Sequence, residues 1–126
     1  MRRPTLVLLL ILALAPAPAA AEGFTRITDR SAFAAAVQGR NLTSTAVRLT
    51  VHPDGVIEGR AFGFAVTGTW DWQDGYFCRT LATAARDFPL NCQKVETDGA
   101  TIRFTADKGT GETASLRINR AAPPSP

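Results

Sequence analysis

Few side chains in this chain could do chemistry. It holds one histidine, His52, two cysteines, Cys78 and Cys92, and two tryptophans, Trp70 and Trp72. His52 is expected on an outer strand face, and no serine stands in a nucleophile-elbow pattern that it could serve as a base. Asp71 and Asp74 lie close together, but turn chemistry accounts for Asp74 and strand exposure for Asp71. The Gly-x-Gly within Lys108-Gly109-Thr110-Gly111 is not expected to open a helix, so it is not a phosphate-binding loop. Thirteen residues lie between the cysteines, and with His52 the only histidine a zinc site is short of ligands. The sequence therefore predicts no metal, no cofactor and no catalytic constellation.

One constellation emerges from register. A two-residue turn fixes which residues face each other. With Asp74-Gly75 as such a turn, Trp72 opposes Phe77 and Trp70 opposes Arg79. Phe64, Val66, Trp70, Trp72, Phe77, Arg79 and Leu81 then share one face, and Thr67, Thr69, Asp71 and Cys78 the other. Treating Asp98-Gly99 alike pairs Val95 with Ile102 and Gln93 with Phe104. Gln93 thereby joins the inner face, and Cys92 falls on the outer face with Cys78. Two readings of Arg79 follow. Either it stacks on Trp70 with its head group in water, or Arg79 and Gln93 orient an anion above a floor made by Trp70 and Trp72.

The elements that must hold these residues follow from periodicity. The only helical signal lies between Phe24 and Arg40, with Asp29 or Ser31 as cap, Phe33, Ala34 and Val37 on one face, and Gly39 as the stop. From Thr45 onward the period is two. Val47, Leu49 and Val51 form one alternating strand; Pro53-Asp54-Gly55, Asp74-Gly75 and Asp98-Gly99 are turns; Val56 to Trp72 is two strands broken near Phe62-Gly63. Ala82 to Phe88 reads as a loop and Lys108 to Gly111 as a glycine-rich connection. The fold class is mainly β: an antiparallel meander of six or seven strands forming a curled sheet or small barrel, with one short N-terminal helix.

Export supplies the context. Arg2 and Arg3, the ten-residue apolar run Leu6 to Ala15 and the small residues Ala19 to Ala21 read as a secretory signal peptide over residues 1–21. The run is far short of the ~20 residues that cross a bilayer as a helix. Residues 22–120 form a single β-rich domain, and the proline-containing tail 121–126 is expected to be disordered. Removing Arg2 and Arg3 turns the chain's +3 into +1, with no basic run, so no nucleic-acid partner is expected. A cysteine pair in an oxidising compartment implies a Cys78–Cys92 disulfide, worth ~3 kcal/mol for a loop of about fifteen residues in the chain-entropy model.

The segments Val66-Thr67-Gly68-Thr69-Trp70-Asp71-Trp72, Asp74-Gly75-Tyr76-Phe77-Cys78-Arg79 and Asn91-Cys92-Gln93-Lys94-Val95 resemble a group of small exported bacterial proteins. Asp54 to Gly59 and Arg103 to Gly111 extend the likeness over most of the domain. Some of that group carry the label dihydrodipicolinate reductase. Such a reductase is a cytoplasmic two-domain enzyme with a glycine-rich dinucleotide loop on a parallel sheet, and this chain has neither the loop, the sheet pattern nor the length. The Gly-x-Trp and the cysteine spacing are also similar to lipocalin-like periplasmic protease inhibitors, which implies a barrel. The expectation is a periplasmic or secreted binding or envelope-associated module with no membrane span after cleavage. Its partner would be a small ligand or an exported protein, with inhibition of an exported protease as the alternative and an enzyme third.

Overall fold

The computed structural model describes residues 23–120, together with Arg3 and Pro4. The expected signal peptide, those two residues apart, and the expected tail lie outside the described residues. The order is β1 (Thr25–Ile27), α1 (Arg30–Val37), β2 (Arg40–Ser44), β3 (Val47–Val51), β4 (Val56–Ala61), β5 (Phe64–Gln73), β6 (Tyr76–Ala82), β7 (Asp87–Thr97), β8 (Thr101–Thr105), α2 (Ala106–Gly109) and β9 (Thr113–Arg120). Among the described residues nine strands form where alternation suggested six or seven. β1 has three residues inside the stretch read as helical, and β2 buries only Leu42, so neither displays a period of two.

Each of β2 to β9 pairs with its chain neighbours, and β9 returns to β2 with Arg40 opposite Arg120. The eight strands close an antiparallel up-and-down barrel. β1 is additional: it pairs with Val95 to Thr97 of β7, beyond the point where β6 leaves off at Gln93. An eight-stranded ring has an interior that side chains just fill, or that holds one small ligand. Bending the sheet this tightly requires close backbone approach, and Gly59 shows where. A Cβ there would stand 2.0 Å from the Arg48 carbonyl oxygen on β3.

The Asp74-Gly75 register is as expected, with Trp70 opposite Arg79 and Trp72 opposite Phe77. Both turn residues adopt positive φ, 52° and 85°, the left-handed pair of a tight hairpin. The Asp98-Gly99 expectation needs correction by two residues: Val95 faces Phe104 and Thr97 faces Ile102. The loop is Gly99-Ala100, because the Asp98 carboxylate accepts from the Ala100 and Thr101 amides and so sits at the turn's flank. Those bonds lower its pKa from the ordinary value. A shift of two preserves side-chain parity, so the face assignments survive. Cys78 and Cys92 lie directly opposite on β6 and β7 and form a disulfide on the outer face. Asp87 and Phe88, expected as loop, belong to β7 together with Pro89, whose missing N–H is accommodated at a register shift between Arg79 and Leu81.

α1 plugs one end of the barrel. Asp29 is its cap: Oδ1 accepts from the Ala32 amide and the Ser31 hydroxyl, both at 2.8 Å, which lowers the carboxyl pKa. Phe33 and Val37 are fully buried. The Phe33 ring lies 5.0 Å from Trp70, 5.1 Å from Trp72 and 4.9 Å from Phe77. The indoles are anchored as well, Trp70 Nε1 donating to the His52 carbonyl at 2.8 Å and Trp72 Nε1 to the Thr28 carbonyl at 3.2 Å. A two-turn helix is marginal by itself; here the aromatic cluster supplies its stability.

Candidate functional site

With α1 filling one end, free space remains toward the other, where the β2–β3, β4–β5, β6–β7 and β8–β9 connections lie. A cavity of about 140 Å³ sits there, walled by Leu42, Leu49, Ile57, Phe77, Phe104 and Leu116 among others. Its polar lining is two side chains, Arg79 and Gln93. They come from opposed strands: Arg79 faces Asn91, and Gln93 faces Phe77.

Arg79 is half-buried, and its Nη1 donates to the Pro89 carbonyl at 3.0 Å. That oxygen is available because the register shift takes Pro89 out of the β6–β7 ladder. Among the described residues this is the only hydrogen bond of a group with five N–H donors. Burial lowers the Arg79 pKa from its ordinary value; a guanidinium starts so high that it stays charged in any physiological medium. The cavity thus contains a cation whose remaining donors have no protein acceptor among the described residues.

Gln93 is 7 % exposed, and its orientation is set by a relay. The Asp107 amide donates to Asn91 Oδ1 at 3.0 Å, and Asn91 Nδ2 donates to Asp107 Oδ1 at 2.7 Å. A carboxylate only accepts and an amide N–H only donates, so this pair fixes which way Asn91 points. Asn91 Oδ1 then accepts from Gln93 Nε2 at 3.4 Å. Asp107 reaches this place because α2 is a left-handed turn, with Asp107 and Lys108 at φ 54° and 55°. Left-handed backbone costs ~1–2 kcal/mol per non-glycine residue, and the two hydrogen bonds with Asn91 offset part of it.

Of the four residues expected to share a site, Arg79 and Gln93 meet at the cavity. Trp70 and Trp72 do not line it. They share the inner face, as expected, but lie farther along β5 beneath α1. Nor does Arg79 stack on Trp70: the guanidinium over that indole belongs to Arg30, 4.6 Å from the ring centroid. Parity identifies a face but not a position along the barrel axis, and it cannot show that a helix has taken one end. Asn91 and Asp107 were missed. Asn91 adjoins Cys92, so it could have been placed on the inner face by parity, whereas nothing in Asp107-Lys108-Gly109 announces a left-handed turn.

His52 Nε2 lies 2.9 Å from Glu58 Oε1 on the outer surface, and no serine among the described residues hydrogen-bonds to its ring. Among the described residues no group of three or more histidine, cysteine or acidic side chains could hold a metal ion, and no helix is long and apolar enough to cross a membrane. No protein-family model, curated protein or solved structure matches the chain.

Proposed function

We propose that this is an exported binding module whose barrel interior accepts a small amphipathic anion. The observation that carries the reading is the cavity itself: an apolar chamber whose polar groups are one charged, under-used guanidinium and one oriented carboxamide. An apolar cavity of ~150 Å³ admits a benzene-sized molecule, so the fit is to a short or aromatic carboxylate, with its tail between Phe77, Phe104 and Leu116 and its carboxylate on Arg79. The disulfide is consistent with an oxidising compartment, and with the signal-like segment it supports a mature chain that begins near Glu22 and works in the periplasm or outside the cell. The protease-inhibitor reading gains no support from the cavity, which is concave rather than protruding.

Calorimetric titration with benzoate and hexanoate, against benzyl alcohol and hexanol as uncharged isosteres, tests the proposal. The carboxylates should bind and the alcohols should bind at least tenfold more weakly, since a hydrogen bond to a charged group contributes ~1.5–3 kcal/mol. Arg79→Met, which keeps the stem, should bring the carboxylates down to the alcohols. Equal binding by wild type and Arg79→Met, or no heat with either acid, would refute it.

A further inference from the structure

The molecule contains its own control for the β4–β5 connection. Phe62-Gly63 and Asp74-Gly75 are both two-residue hairpin loops, and their φ angles agree to within one degree: 52° and 84° against 52° and 85°. Such a turn favours Asn, Asp or Gly at its first position, and a bulky residue there is a conformational outlier. The β5–β6 loop obeys this with Asp74. The β4–β5 loop instead carries an aromatic ring that is 73 % exposed, next to Phe64 at 44 %. Phe62 therefore costs conformational energy at its backbone and leaves a large apolar side chain in water. Neither cost returns anything to the fold.

A second unfavourable arrangement lies beside it. Arg48 and Arg60 are direct cross-strand partners on the outer face, where like charges repel. Arg60 Nη2 donates to the Gly63 carbonyl at 3.0 Å, which holds its charge at the base of the aromatic tip. The nearest carboxylate along that strand, Glu58, is engaged by His52 at 2.9 Å. Both arginines border an open groove of about 490 Å³ that also takes in Arg120, Asn41, Thr43 and Asn119, with no carboxylate in its lining. Groove and tip are physically joined, since the Phe62 amide donates to the carbonyl of Ala46 on the groove's edge at 2.8 Å.

Exposed aromatic residues flanked by arginines match the chemistry of an anionic lipid surface, where rings enter the headgroup–acyl boundary and guanidiniums bind phosphates. We propose that this barrel end docks peripherally on an anionic phospholipid membrane, with Phe62 and Phe64 entering the interface and Arg48 and Arg60 on the phosphates. The observations behind it are separate from those behind the interior cavity, although that cavity lies toward this same end of the barrel. It explains two local violations at once, because burial of the ring and neutralisation of the arginine pair occur together on binding.

The test is flotation of protein recovered from cells expressing the full chain, with vesicles of equal parts phosphatidylglycerol and phosphatidylcholine, and with phosphatidylcholine alone. The protein should float with the anionic vesicles, remain behind with the neutral ones, and dissociate as salt is raised. Phe62→Asn restores the favoured turn residue, so it should fold at least as well, yet lower the partition coefficient roughly tenfold to a hundredfold. Arg48→Gln should lower it about fivefold. Phe62→Trp should gain emission that lipid-borne bromine quenches. Flotation that Phe62→Asn leaves unchanged, or no flotation on anionic vesicles, would overturn the proposal. So would self-association that Phe62→Asn abolishes in protein that does not float, because the tip would then be a contact between copies.

Discussion

Replacing Phe33 with alanine tests the idea that α1 is a plug and not an ornament on a self-sufficient barrel. Phe33 is fully buried and its ring touches Trp70, Trp72, Phe77 and, at 6.3 Å between centroids, Phe104. Removing a buried phenylalanine costs ~3–5 kcal/mol. The upper half of that range applies here, because the ring's neighbours belong to β5, β6 and β8 and a closed barrel cannot collapse onto the gap. At ~4–8 °C per kcal/mol for a domain of about a hundred residues, a loss of ~4–5 kcal/mol should lower Tm by roughly 16–40 °C. Thermal unfolding followed in parallel by near-ultraviolet circular dichroism and tryptophan emission is the assay. The aromatic dichroism should weaken already in the native baseline, and emission should shift to the red as Trp72 loses its cover. A fall of less than about 5 °C with an unchanged aromatic spectrum would show that the helix contributes little to the core and that the barrel closes without it.

Three further outcomes are expected. Reducing Cys78–Cys92 should lower unfolding free energy by ~3 kcal/mol in denaturant titrations, and thiol counts on denatured, unreduced protein should be near zero. Gly59→Ala should destabilise severely, since its Cβ would meet the Arg48 carbonyl oxygen at 2.0 Å, whereas Gly63→Ala meets nothing within 4 Å and should cost about 1 kcal/mol from its left-handed backbone; comparative denaturation ranks them. Asp29 and Asp98 are both held below their ordinary 3.8, so their stabilisation is complete above that value and is lost as pH falls through the lower folded values. Asp29→Asn should flatten the acid limb of the stability–pH curve.

How far the sequence could be read depended on where local chemistry was unambiguous. Asp74-Gly75 admits one tight turn, and from it the whole β5–β6 register followed, tryptophans and Arg79 included. Asp98-Gly99 looks the same but is not, because Asp98 acts through its side chain and moves the loop one residue on. The N-terminal part was hardest. Thr25 to Ile27 is strand only because β7 outlasts β6 and leaves an edge to pair with, a fact of topology that no window around β1 contains. The candidate site was half legible for a similar reason. Parity placed Arg79 and Gln93 on the inner face, but which inner residues line free space is decided by the depth to which Phe33 enters.

The joint between β2 and β9 has a kinetic consequence. Every other pairing in the ring unites strands adjacent in sequence, through hairpins that close within microseconds. Arg40 to Thr43 must instead find Arg117 to Arg120 across nearly the whole domain, with a loop-closure entropy no hairpin incurs. Before that encounter the chain is an open ribbon with two bare edges, able to pair with another copy as readily as with itself. Folding speed and the concentration at which refolding turns to aggregation are therefore both set at this single seam, which takes in the last four residues of β9.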